Sequence, residues 1–388
     1  MSKNDSRHTR AVRAGIETDS QHGAVMPPVY LSSNFAFEGF DRPRVYDYTR
    51  TRNPTRDALA DVLAELEGGA GATVTGSGMG AITLACQLLD PGDLVVGPWD
   101  CYGGTFRLFD RLSDRGLFHV KLVDQTDPDV VAAAMDDGVK MLWVESPTNP
   151  LLRVGDLQRL GELAKASGAL FVVDNTFLSP ALQRPIEFGA DLVVHSTTKY
   201  LNGHSDVVGG AVVASTSELH QQMQEWANAL GLSGAPFDSL LTLRGIRTLF
   251  ARMQQHEKNG NTLAEVIDGH EAVSRVYYPG LPTHPGHELA SRQQRGFGGM
   301  ISFDLKGGRA AARAFLEAVE LFSLAESLGG VESLACHPAT MTHAPLDAAS
   351  REAAGISDGL VRLSAGIEAT EDLVRDVLQG LDAAARAV

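Results

Sequence analysis

Through the middle of this chain, short apolar runs alternate with amphipathic stretches. The runs at 72–75, 94–96, 118–123, 141–144, 170–173, 192–194 and 211–214 have the length of strands, and their near-continuous apolar character fits strands buried on both faces. Between them lie helical spacings such as Leu157, Leu160 and Leu163. This alternation predicts an α/β fold, a mostly parallel sheet covered by helices on both faces.

Other patterns flank that core. Asn53-Pro-Thr-Arg-Asp-Ala-Leu opens a helix with Leu59, Val62, Leu63 and Leu66 at helical spacing, and Gly68-Gly69 ends it. Helical patterns at 218–230 and 240–267 lead out of the alternating region. From 274 the character changes to shorter strands, at 300–305 and 360–364, around a helix at 310–320. The last helix is expected to be capped by Thr370, with Glu371 and Asp372 in its first turn and Leu373, Val377, Leu378 and Leu381 on its inner face. Before residue 54 there is no sustained periodicity, only turn formers such as Met26-Pro-Pro28. The organisation expected is an arm at 1–54 that drapes over a neighbouring subunit, a large domain at 55–245 and a smaller α+β domain at 246–388.

Composition narrows the function classes. A net charge of -15, without a lysine/arginine run, argues against a nucleic-acid footprint. No apolar stretch approaches the length of a membrane span, and residues 1–13 are too polar for a secretory signal, so the expectation is a cytoplasmic enzyme. Cys86, Cys101 and Cys336 are odd in number and far apart, which fits reduced thiols and no zinc site.

Three strand ends carry candidate chemistry. Asp191-Leu-Val-Val-His-Ser-Thr-Thr-Lys199 delivers a lysine to the carboxyl end of a buried strand, where open α/β sheets bind ligands. Lost hydration there lowers a lysine's pKa and makes it a nucleophile toward an aldehyde, although a lone lysine at a strand end is more often a snorkelling surface group. Ala169-Leu-Phe-Val-Val-Asp174 ends a second apolar strand in a carboxylate, which is costly to bury unless a cation answers it. Thr73-Val-Thr-Gly76-Ser-Gly78-Met79-Gly-Ala81 is a strand, a glycine turn and a helix start, the geometry of an anion cradle. The same glycines satisfy a dinucleotide fingerprint with Asp100 as the ribose acid, so a nicotinamide-dependent dehydrogenase is the runner-up. A lysine, a carboxylate and a phosphate cradle together are what pyridoxal 5'-phosphate requires.

Ser196-x-Thr198-Lys199-Tyr200-x-x-Gly203-His-Ser-Asp206, Val172-Val-Asp174-Asn-Thr, Tyr48-x-Arg50 and Cys101-Tyr102-Gly-Gly104 resemble the Cys/Met-metabolism family of fold-type I pyridoxal-phosphate enzymes, from about Arg10 to Leu381. The resemblance implies that Lys199 bonds the cofactor aldehyde and later carries a proton, and that Asp174 keeps the ring nitrogen protonated. Tyr102 would stack on the ring and Asn149 would lie at its hydroxyl side. Gly78, Met79, Ser196 and Thr198 would hold the phosphate, with Tyr48 and Arg50 reaching it from a neighbouring subunit of a homotetramer with shared sites.

Alternation in Gly359-Leu-Val-Arg362-Leu-Ser puts Arg362 opposite Val361 and Leu363, and its planar guanidinium matches an α-carboxylate. A structural ion pair is the competing reading. Arg107 would meet a distal carboxylate, or else make a helix-surface salt bridge. The loop Leu324-Ala-Glu326-Ser327 is similar to one that borders the family's active site, with Ser327 positioning the lysine; Arg52 departs from the usual glycine and would add charge near the substrate mouth. The reaction implied is γ-replacement on O-succinyl-L-homoserine by L-cysteine. γ-Elimination from cystathionine is the nearest alternative, and a non-catalytic binding role is the least favoured.

Overall fold

The computed structural model describes residues 5–135, 138–344, 351 and 354–387; residues 1–4 of the polar opening segment lie outside the described residues. All seven apolar runs are strands: β1 (Gly71–Thr75), β2 (Leu94–Pro98), β3 (His119–Val123), β4 (Val139–Glu145), β5 (Leu170–Asp174), β6 (Leu192–His195) and β7 (Gly210–Ala214). They form one sheet in the order β1-β7-β6-β5-β4-β2-β3. Only β7 runs antiparallel, between β1 and β6.

Alternation along each strand assigns its side chains to two cores. Leu142, Val144, Phe171, Val173 and Val193 pack on the face covered by helices Pro54–Glu67 and Leu157–Ser167. Met141, Trp143, Val172 and Val194 pack on the other, under Gly78–Ala85, Gly103–Asp114 and Ser217–Leu230. A second sheet of β8 (Val273–Tyr277), β9 (Met300–Leu305), β10 (Ser323–Leu324), β11 (Leu334–Cys336) and β12 (Leu360–Ser364) has the order β10-β11-β12-β9-β8 and a core of its own.

Asn53 caps the helix Pro54–Glu67, its Oδ1 accepting from the Thr55 and Arg56 N–H groups, and Gly68 ends it in the left-handed region. Three expectations need correction. The pattern at 240–267 is two helices, Pro236–Ile246 and Leu249–Asp268. A Cβ on Gly245 would lie 2.1 Å from the Asn202 carbonyl, and the Gly245 carbonyl accepts from Arg252 Nη2, Thr248 Oγ1 and the Thr248 N–H in place of the Leu249 N–H that would continue the helix. The cap of the last helix is Ala369, and Thr370 is its first residue, donating its hydroxyl to Asn259 Oδ1 at 2.7 Å. Leu378 lies on that helix's exposed side, whereas Leu373, Val377 and Leu381 are buried.

The arm is tied to the fold by Ala11 and Ala14 in the core, by Arg7 donating to the Pro180 carbonyl and by Arg247 donating to the Val12 carbonyl. The Tyr30 N–H donates to Thr55 Oγ1, and Arg56 donates to the Thr49 and Arg50 carbonyls. Val29, Leu31, Phe37, Phe40 and Val45 remain exposed in the single chain.

Trp143 is fully buried edge-to-face against Phe109, with ring centroids 5.5 Å apart, yet its indole N–H has no partner among the described residues. Trp143→Ala should therefore destabilise the fold by about 3–5 kcal/mol. Trp143→Phe should cost far less, because no hydrogen bond is lost. Denaturant melts of the two variants check the ranking.

Candidate active site

Strand alternation places the chemistry. Asp174 shares a face with Val172, and Glu145, directly across the β4–β5 ladder in register, shares it with Trp143. Both carboxylates therefore end on the same side of the sheet, at its carboxyl edge. Ser196 follows Val194 on the same face, and the turn after β6 carries Lys199 inward. The Ser196 N–H donates to Thr176 Oγ1 at 2.9 Å, tying the ends of β5 and β6 together.

A cavity of about 540 Å³ opens there, lined by Lys199, Asp174, Tyr102, Asn149, Arg362 and Arg107 among others. Burial, with Arg362 nearby, holds the Lys199 amine at about 8, against 10.5 for an ordinary lysine; Glu326 opposes this in part. Its Nζ donates to Ser327 Oγ at 2.6 Å. Ser327 has φ of +90°, a conformation that costs a non-glycine residue free energy unless its surroundings impose it. Arg362 imposes it, donating from Nη2 to the Ser327 carbonyl at 2.9 Å and from Nη1 to Asn149 Oδ1 at 2.8 Å. Alternation in β12 buries Val361 and Leu363 in the second core, leaving Arg362 for the cavity.

Burial also raises the Asp174 carboxyl above its ordinary range, against the hydrogen bonds of Thr176 and the charge of His195. The Thr176 N–H donates to it at 2.9 Å, and no lysine or arginine pairs with it among the described residues. The Glu145 carboxyl is pushed well above its usual value by burial first and by Asp174 second. Its two oxygens accept the N–H groups of Tyr102 and Asn149, each at 2.9 Å, so one side chain holds the starts of both loops that wall the cavity.

At the far end Ser77 caps the helix Gly78–Ala85, its Oγ accepting from the Gly80 N–H at 3.0 Å. The first N–H groups of that helix have no intrahelical acceptor and favour an anion. A Cβ on Gly78 would lie 2.8 Å from the Ser196 Cβ, so only glycine leaves this cradle open. Met79, Ser196 and Thr198 line the same wall. The residues present fit pyridoxal 5'-phosphate: a cradle for the phosphate, a buried carboxylate awaiting a cation for the ring nitrogen, and a lysine of lowered pKa for the aldehyde.

The structure thus brings together Lys199, Asp174, Tyr102, Gly78, Met79, Ser196, Thr198, Asn149, Arg362, Glu326, Ser327 and Arg107. It does not bring this chain's own Tyr48 or Arg50 to that cavity. Arg50 donates to the Asn228 carbonyl and Oδ1, both at 2.7 Å, and stacks on Tyr48. Arg52, expected at the substrate mouth, lines a separate cavity with Arg50 and is bound to Asp57 at 2.7 Å. Asp100 is no ribose acid: it is buried, accepts from Thr148 Oγ1 at 2.8 Å and faces Arg153 at 3.7 Å. Arg107 makes no salt bridge among the described residues, which sets aside its helix-surface alternative.

Glu145 and Thr176 were missed. Glu145 carries the signal that singled out Asp174, an apolar strand ending in an acid. Thr176 has no local signal beyond standing two residues past Asp174.

A family model described as Cys/Met metabolism PLP-dependent enzyme matches residues 8–382. Over 377 residues, 97% of this chain and 98% of the relative, the sequence is 53% identical to the cystathionine γ-synthase of Escherichia coli (strain K12). It is 48% identical to a cystathionine β-lyase of Coxiella burnetii (strain RSA 493 / Nine Mile phase I), covering 95% of this chain and 96% of that one. The crystal structure of cystathionine γ-synthase from Xanthomonas oryzae pv. oryzae in complex with cystathionine superposes with a TM-score of 0.98 at 60% identity, covering 99% of this chain and 100% of that one.

The lysine supplies a pH test. Its folded pKa lies below the unfolded value, so between about 8 and 10.5 the unfolded chain binds the extra proton, and this group's contribution to stability rises with pH across that window. In the cofactor-free protein the rate of condensation with pyridoxal 5'-phosphate should climb to a midpoint near 8, as the neutral amine forms. A midpoint above 10, as for a solvated lysine, would contradict the burial argument.

Proposed function

The chain belongs to the Cys/Met metabolism family of PLP-dependent enzymes, and from that membership we propose that it acts as a cystathionine γ-synthase. The reaction joins O-succinyl-L-homoserine and L-cysteine into L-cystathionine: the bond from Cγ to the ester oxygen breaks, the bond from Cγ to sulfur forms, and succinate leaves with the thiol proton going to solvent. The observation that carries the reading is the linked set Arg362, Ser327 and Lys199. One guanidinium positions the loop that holds the reactive amine, in a cavity also lined by Arg107, which has no ion-pair partner among the described residues.

Bound pyridoxal phosphate supplies an electron sink that makes carbanions at the substrate accessible. The protein does the rest. Arg362 and Asn149 receive the substrate α-carboxylate, Arg362 turning its fork from the Ser327 carbonyl. Lys199, neutral over part of the population near pH 8, takes the proton from Cα, and Ser327 Oγ holds the amine in line for it. Glu326 beside Lys199 favours its protonated form afterwards, which helps the lysine carry that proton to a neighbouring carbon. Asp174 would answer the charge of the ring nitrogen, Tyr102 would hold the ring, and Arg107 would meet the distal carboxylate of the succinyl group.

The oligomer completes this reading. An arm whose apolar side chains are exposed, and whose Tyr48 and Arg50 stand away from this chain's own cavity, suits a homotetramer built from dimers in which the pair serves a neighbour's phosphate. A cytoplasmic location suits the three buried, unpaired cysteines.

With both substrates supplied to the holoenzyme, cystathionine and succinate should form at equal rates, and Lys199→Ala should abolish both. 2-Oxobutyrate or pyruvate released from cystathionine faster than cystathionine is made would replace the synthase reading with a lyase. Mixing inactive Arg50→Ala and Lys199→Ala proteins under verified subunit exchange should restore up to about a quarter of wild-type activity, because half the dimers are mixed and each holds one intact site. No recovery would assign each site to one chain.

A further inference from the structure

Under the strand ends that carry the cofactor site lies a buried pair that does not line the cavity. His195, the last residue of β6, shares with Val193 the face covered by the helix Pro54–Glu67, opposite to the face that carries Asp174. Glu67 closes that helix, and its Oε1 meets His195 Nε2 at 2.7 Å. The same oxygen accepts from Asn175 Nδ2 at 2.8 Å. Asn175 directly follows Asp174; its N–H donates to the Val194 carbonyl at 3.0 Å, and its side chain exchanges hydrogen bonds with Gln183. Glu67 therefore clamps the ends of β5 and β6 from below, as Thr176 ties them on the cavity side.

Stability alone does not account for this pair. Glu67, Asn175 and His195 are all 0% exposed, and Glu67 Oε2 and His195 Nδ1 have no hydrogen-bond partner among the described residues. A buried ion pair with unsatisfied atoms is commonly no more stable than apolar residues of the same size. No lysine or arginine bonds the Glu67 carboxylate among the described residues: Arg184 donates to its main-chain carbonyl at 3.1 Å and gives Nη1 to Glu187. A buried carboxylate keeps its charge only beside a cation, which leaves the imidazole to supply it. Asp174 and Glu145, at the neighbouring strand ends, add negative charge that favours the same state.

We propose that Glu67 and His195 are positioning residues for the cofactor: the pair fixes the end of β5 and sets a positive charge beneath Asp174, whose oxygens are left for the ring nitrogen. A cation bonded to Asp174 directly would occupy those oxygens. One on the opposite face of the sheet supports the carboxylate's charge without competing for it, and Asp174 lines the cavity whereas His195 does not. The charge of His195 opposes the burial that would neutralise Asp174. This role rests on the cofactor that the family uses and not on γ-replacement.

The test compares the wild type with His195→Gln, Glu67→Gln and the double variant, all at saturating cofactor and without substrate. Thermal stability, the dissociation constant for pyridoxal 5'-phosphate and the nitrogen-15 chemical shift of ring-labelled cofactor are measured; the shift reports whether the ring nitrogen carries its proton. His195→Gln leaves Glu67 buried without its cation and should lose stability, with cofactor affinity falling about tenfold or more. The double variant has no buried charge to answer, so its stability should recover. Its cofactor affinity should nevertheless stay about tenfold or more below that of the wild type, and its nitrogen signal should move toward the unprotonated form. Glu67→Gln, which removes what keeps the imidazole charged, should move the signal the same way. Recovery of affinity and signal together with stability in the double variant would reduce the pair to a structural link and overturn the proposal. A wild-type signal in either single variant would overturn it as well, whatever reaction the enzyme runs.

Discussion

Two carboxylates ending neighbouring parallel strands in register, Glu145 and Asp174, are the constraint around which this site is built. Burial raises both, and each raises the cost of ionising the other. The protein answers them differently. Glu145 is given two backbone N–H groups and becomes a structural anchor for the loops of Tyr102 and Asn149. Asp174 receives only Thr176 and so retains a demand for positive charge, which a protonated ring nitrogen satisfies.

The same economy links the two sheets. Arg362 lies in the second sheet, but its hydrogen bonds go to Asn149, beyond the end of β4, and to Ser327, which holds Lys199 of the first. The left-handed backbone of Ser327 is held in part by that guanidinium, which takes its carbonyl. Any group that drew Arg362 away would therefore also act on the loop that restrains the lysine. Binding and release of the reactive amine are coupled through one side chain.

How much was legible follows from where each signal lies. Every strand of the large sheet was readable because its residues are buried on both faces and so form continuous apolar runs. Asp174 and Lys199 stood out because a charge at the end of such a run needs a reason. Glu145 ends an apolar run in an acid as Asp174 does, but only the β4–β5 register, which sets the two carboxylates side by side, shows what it is for. Thr176 carried no signal: a threonine past a strand end gains meaning only when its N–H reaches Asp174 and its Oγ1 accepts from the Ser196 N–H at the end of the next strand. The broken helix at 247–248 was hidden for a similar reason, because Gly245 yields to Asn202, a partner 43 residues away.

Net charge and local charge then pull in opposite directions. At -15 the molecule as a whole repels an anionic ester, yet Arg107, Arg111 and Arg362 stand at or beside its cavity. At physiological ionic strength charges more than about 8 Å away are largely screened, so the distant surface carboxylates contribute little at the mouth. The few arginines inside that radius decide the field an approaching substrate meets. An acidic surface is thus compatible with an anionic substrate provided the cations near the cavity are left without internal partners, as Arg107 and Arg111 are among the described residues.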